Sequence, residues 1–102
     1  MRGMIQVYAE LFPNNPQHHP KLIATTLQKT LQTLIKRWPE ADPEGKPMDI
    51  QAFRRYLEHL KISAPHFALG EWENSGGKMK KNDLITFSRW NTLVRCLEGK
   101  YS

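Results

Sequence analysis

The sequence predicts an all-α fold, a single domain of four to five helices packed as a compact bundle, and three observations point to it. Apolar residues recur every three or four positions in separate stretches, the spacing that gathers them on one face of a helix. No segment alternates apolar and polar residues over a strand length without also fitting a helix. Between the stretches lie connections rich in Pro, Gly, Asn and Asp, which interrupt helices.

In the first stretch Met4, Ile5, Tyr8, Leu11 and Phe12 keep helical spacing, so a helix begins almost at Met1 and stops at Pro13. Such a start fits either a segment of a longer protein or a subunit that packs this end against a neighbour. A polar turn from Asn14 to Pro20 follows. The second helix is expected over Pro20 to Trp38, with Ile23, Leu27, Leu31, Leu34 and Trp38 on its buried stripe and Leu22, Ala24 and Ile35 flanking it. After it comes an acidic, Pro-rich connector, residues 39–49. Asp49 is placed to cap a third helix whose stripe is Ile50, Phe53, Leu57 and Leu60. Ser63 is placed to cap a shorter helix through Phe67, Leu69 and Trp72, with Pro65 in its first turn. A Gly/Lys loop, 74–82, leads to a last helix capped by Asn82 or Asp83, with Leu84, Phe87, Trp90, Val94 and Leu97 on one face and Gly99 as its stop.

The chain carries 15 Lys and Arg against 10 Asp and Glu, a formal charge of +5, which favours an anionic partner. Its layout says more than its sum. Between Glu10 and Glu40 there is no acidic residue, while Glu40, Asp42, Glu44 and Asp49 crowd the connector. One side of the second helix therefore shows Lys21, Thr25, Lys29, Gln32 and Lys36 with no opposite charge among them. A phosphate backbone suits that stripe, because lysines neutralise its charge and Thr or Gln donate hydrogen bonds at the same pitch. An ordinary solvated face fits the same residues.

Other chemistry finds little footing. A lone Cys96 excludes an internal disulfide framework and fits a reducing, cytoplasmic setting. No apolar run approaches the roughly 18 residues of a membrane span. His18, His19, His59 and His66 have no ligand spacing for zinc, the carboxylates lie mostly in a loop that holds no two at fixed separation, and Gly76-Gly77-Lys78 lacks the phosphate-loop pattern. The expectation is a non-enzyme with no cofactor and no metal.

Residues Arg54 to Gly76 resemble the helix-turn-helix of phage-repressor-type regulators: Leu60, Ile62, Ser63, Phe67, Trp72, Glu73, Asn74 and Gly76 take the places of an apolar helix, an Ile-Ser turn, a second helix and a Trp-Glu-Asn before glycine. That resemblance implies a recognition helix over Ser63 to Asn74 and a dimer reading two half-sites. In size, basicity and helical content the chain is also similar to the small helical subunits of CRISPR surveillance complexes, which implies a place in a larger nucleoprotein assembly.

Three readings follow. The first is a non-catalytic module lying along a nucleic-acid backbone without sequence readout, through Lys21, Lys29, Lys36, Arg37, Arg54, Arg55, Lys78, Lys80, Lys81, Arg89 and Arg95. The second is the sequence-specific regulator. The third is an adaptor or inhibitor whose basic face meets an acidic protein surface.

Overall fold

The computed structural model describes residues 2–19 and 21–100, with elements in the order α1 (Arg2–Leu11), α2 (Thr25–Ala41), α3 (Ile50–Ser63), α4 (Pro65–Leu69), β1 (Glu71–Glu73), β2 (Met79–Lys81), α5 (Leu84–Ser88) and α6 (Trp90–Leu97). Helix dominates, as the apolar spacing predicts. The architecture is not a plain bundle of four to five helices, however: the described residues form six helices and one two-stranded antiparallel hairpin. α1 packs on α3, α2 on α5 and α6, and α4 folds back on α3. No helix among the described residues is long and apolar enough to cross a membrane.

Each departure from the expected boundaries has a local cause. Met1 and Pro20 lie outside the described residues. α2 starts at Thr25 because the backbone N–H groups of Lys21 and Leu22 both donate to His19 Nδ1 at 3.1 Å, which bends the chain there. Leu22 consequently stands 77% exposed. At its other end α2 runs through Pro39 to Ala41. The bond Pro39 cannot make is to the carbonyl of Ile35, an exposed residue. The connector thus begins at Asp42, whose Oδ2 accepts the backbone N–H groups of Glu44 and Lys46 in a turn that Gly45 completes with a φ of 68°.

Asp49 caps α3 as expected, its Oδ1 accepting the Ala52 N–H at 2.7 Å. Ser63 caps nothing. It ends α3, Ala64 makes the joint, and Pro65 opens α4. α4 is five residues long and stops at Gly70, where a β-carbon would come within 2.4 Å of the His66 carbonyl oxygen. No single helix therefore runs from Ser63 to Asn74: a residue that must be glycine ends one turn of helix, and the chain goes on as strand.

The expected Gly/Lys loop is half hairpin. Asn74 Oδ1 accepts the Gly76 and Lys78 N–H groups and Gly77 takes a φ of 78°, which closes a tight turn and aligns Glu71 with Lys81, Trp72 with Lys80 and Glu73 with Met79. The turn chemistry makes the pairing, since these strands have no apolar alternation of their own.

Asp83 caps the next helix, accepting the Thr86 N–H at 3.3 Å, but that helix breaks at Arg89, which is extended (φ −66°, ψ 137°). The break resets the helical phase. Thr92, Leu93 and Cys96 are buried in α6, whereas Leu97, expected on the stripe, is 58% exposed. The core itself gathers Tyr8, Phe12, Leu27, Leu31, Leu34, Phe53, Leu57, Leu60, Leu84 and Phe87, all at or near zero exposure. Phe87 is its hub, with ring centroids 5.0 Å from Phe12, 5.8 Å from Phe67 and 6.1 Å from Tyr8. Its carbonyl also accepts the Tyr56 hydroxyl at 2.6 Å. Because Phe87 lies in α5, this packing fixes where α5 delivers Thr86 and Arg89 at the surface.

Candidate nucleic-acid interface

α2 buries Leu27, Leu31 and Leu34, so Thr30, Thr33 and Arg37 emerge along its edge where it packs on α6. Together with Arg89, Trp90 and Asn91 they line a polar cleft of about 370 Å³. Lys29 and Lys36, four before and three after Thr33, flank it on the exposed face. Arg37 is held from two sides. Its guanidinium lies over the Trp90 ring at 4.3 Å from the centroid, and it binds Glu40 in two bonds of 3.0 and 3.3 Å. The hydrogen bond from Arg37 holds the Glu40 carboxyl below its ordinary pKa.

A second, larger cavity of about 720 Å³ opens between the hairpin and the α1–α2 connection. Lys80 and Lys81 line it, and so does Trp72. Directly opposite residues of a hairpin share a face, so Trp72 and Lys80 point the same way. The indole is tethered: Trp72 Nε1 donates to Asn82 Oδ1 at 3.1 Å, and Asn82 Nδ2 donates to the Phe67 carbonyl at 2.9 Å. Beneath them buried Asn15 donates both amide hydrogens, to the carbonyls of Ala68 (2.8 Å) and Asn82 (2.9 Å). Two carboxylates reach this groove, Glu71 opposite Lys81 and Asp83, whose Oδ2 lies 3.4 Å from His18 Nε2.

α5 joins the two cavities. Thr86 lines the groove and Arg89, three residues on at the break that follows α5, lines the cleft. Lys29, Lys36, Lys78, Lys80, Lys81, Arg89 and Arg95 form no ion pair among the described residues.

The remaining residues of the basic set stand elsewhere. Arg54 binds Glu10 at 2.8 Å and ties α3 to α1, so its charge is compensated. Lys21, outside α2, borders a separate cavity with Arg2 and His18. Arg55 lines an apolar cavity with Trp38, Leu93 and Leu97. Arg95 lies one turn beyond Asn91 on α6. The acids of the connector are engaged locally: Asp42 with backbone N–H groups, Glu44 with Lys46 at 2.8 Å, Asp49 as a cap.

Sequence reasoning misses the exposed Trp72, the Arg37–Trp90 stack and the Asn15–Asn82 tether. Only Trp72 leaves a signal, an aromatic six to nine positions before three lysines. The other two depend on residues more than fifty positions apart. Burial pushes the Cys96 thiol up, as befits an inert side chain, and no group of three or more His, Cys, Asp or Glu that could hold a metal ion occurs among the described residues. Comparison with known proteins finds no matching family model, no matching curated protein and no matching solved structure.

Proposed function

We propose that this chain is a non-catalytic module that binds the sugar-phosphate backbone of a nucleic acid without reading its sequence, as a small subunit of a larger nucleoprotein assembly. The observation that carries the reading is the α2–α6 cleft, where Arg89 lies with two threonines and an asparagine, and Lys29 and Lys36 follow on the adjoining exposed face of α2, all three without an ion-pair partner among the described residues. Cations and neutral donors at this spacing suit phosphate oxygens in series, and no base-edge contact is needed. The backbone passes from the hairpin lysines over α5 to the cleft. A recognition helix is no part of this reading, because α4 has a single turn and its residues Pro65, His66 and Ala68 offer little to base edges. The likeness in class to the small subunits of CRISPR complexes is consistent with such a role and adds no residue to it.

The test is binding of a labelled oligonucleotide pool of random sequence. Submicromolar binding at low salt that Lys29→Glu with Lys36→Glu weakens alike for all sequences is the expected result. No binding at low salt, together with capture of an acidic protein by the same face, overturns the reading in favour of an adaptor.

A further inference from the structure

The two cavities differ in kind: the cleft offers guanidinium and hydroxyl groups, whereas the groove offers a ring. Tyr8, Phe12, Phe53 and Phe87 are fully buried, the ordinary fate of a large aromatic, yet Trp72 stands 46% exposed on a three-residue strand. It is not loose there. The Nε1 bond to Asn82, itself fastened to Phe67 and Asn15, fixes the edge of the indole and leaves its face to the groove. A ring ordered in advance loses little entropy when another ring stacks on it. Lys80, directly opposite in register, puts a cation beside that ring. The groove's volume of about 720 Å³ lies within the ~300–1,000 Å³ typical of small-molecule sites.

We infer that this groove takes one unstacked base of a single strand, laid on the Trp72 indole with the adjoining phosphate on Lys80. The inference rests on the backbone-binding reading and adds the substrate class to it, single strand over duplex. Bases within a duplex stack on each other and cannot present a face to a side chain, whereas a single strand splays them at little cost. Every base has such a face, so the contact is tolerant of sequence. Glu71 and Asp83 on the same rim repel phosphate, which sets the backbone along the Lys80 side.

The experiment compares labelled single strands of DNA and of RNA with a duplex of equal length, against the wild-type chain, Trp72→Ala, Trp72→Phe and Lys80→Gln. Trp72→Ala is expected to weaken single-strand binding about 10-fold or more, with Trp72→Phe close to wild type and duplex binding unchanged. A strand of abasic sugars, equal in charge, should bind Trp72→Ala and wild type alike. Independently of any folding defect in the Ala variant, a single strand should quench wild-type tryptophan fluorescence and lose most of that quenching in Trp72→Phe. Equal single-strand binding by wild type and Trp72→Ala, while Lys29→Gln with Lys36→Gln still weakens it, overturns the base site and leaves the backbone reading standing. If the wild type binds no oligonucleotide at low salt, both fall, and a protein that co-purifies with wild type but not with Trp72→Ala then marks the groove as a protein contact. Preference between the DNA and RNA arms identifies the source of the strand.

Discussion

Salt is the perturbation that tests the cationic track most directly, because its effect can be worked from named side chains. Lys80 and Lys81 line the groove, Arg89 lines the cleft, and Lys29 and Lys36 stand on the exposed face of α2 beside it, all without an ion-pair partner among the described residues. If each neutralises one phosphate of a single strand, log K falls against log salt with a slope of about −0.7 per contact, or about −3.5 in all. Raising salt from about 50 to about 200 mM then weakens binding roughly 100-fold. For a duplex the same contacts give a slope of about −4.5 and a loss of roughly 500-fold. Lys29→Gln with Lys36→Gln removes two contacts and should bring the single-strand slope to about −2. Both side chains are exposed, and such surface changes leave stability within about 0.5 kcal/mol, so melting curves should superimpose. The assay is fluorescence anisotropy titration at four or five salt concentrations. A wild-type slope near zero refutes the reasoning outright. So does a double variant that loses affinity equally at every salt, since the lysines would then act through shape and not through released counterions.

Three further outcomes follow from the fold. Asn15→Ala removes two hydrogen bonds, one to a buried and one to a part-buried carbonyl, and should cost about 2–3 kcal/mol, read as a melting temperature lower by roughly 10 °C or more. Asp49→Ala and Asp83→Ala each lose an N-cap and should cost about 1 kcal/mol in urea titrations, with the slope of the transition unchanged. Burial first, and then the charge of Asp83, holds the Tyr8 phenol above its ordinary pKa near 10, so the folded chain keeps that proton longer than the unfolded one. The resulting stability is fully present below pH 10 and declines above it by up to about 1.4 kcal/mol per pH unit. Tyr8→Phe loses the hydroxyl's bond to the Pro16 carbonyl, and urea titrations at rising alkaline pH should show its stability falling less steeply than the wild type's.

The part of the fold legible in the amino-acid sequence is its long-range regularity. Leu27, Leu31 and Leu34 repeat over enough turns that no other secondary structure accommodates them, and they are fully buried. The Asp49 and Asp83 caps are equally legible, because a carboxylate ahead of an apolar run has one obvious use. The illegible places are those where one backbone angle decides. Arg89 adopts an extended ψ in the middle of what reads as one continuous helix, and that single residue moves Leu97 from core to surface. Gly70 and the turn around Asn74 convert an apparent second helix into one turn of helix and a hairpin. Strand propensity over three residues such as Met79-Lys80-Lys81 is too weak to announce it.

The charge map is legible in the sequence as an asymmetry but not as a site, and the magnitudes divide the work between the two cavities. In and beside the cleft four cations, Arg37 and Arg89 in its lining and Lys29 and Lys36 on the adjoining face of α2, stand against one carboxylate, Glu40, a local surplus of three charges. The hairpin carries Lys78, Lys80 and Lys81 together with Glu71 and Glu73, a surplus of one, and only Lys81 stands directly opposite a carboxylate. Electrostatic attraction of a polyanion falls mainly to the cleft, since counterion release counts uncompensated cations. The hairpin has too little net charge to hold a strand by that means, but it carries the fixed indole that the cleft lacks, where Trp90 is occupied by Arg37. Neutralising the cleft should therefore flatten the salt dependence while keeping the preference for single strands. Removing the Trp72 ring should abolish that preference while leaving the slope as it was, because long-range charge and short-range stacking reside on opposite ends of α5.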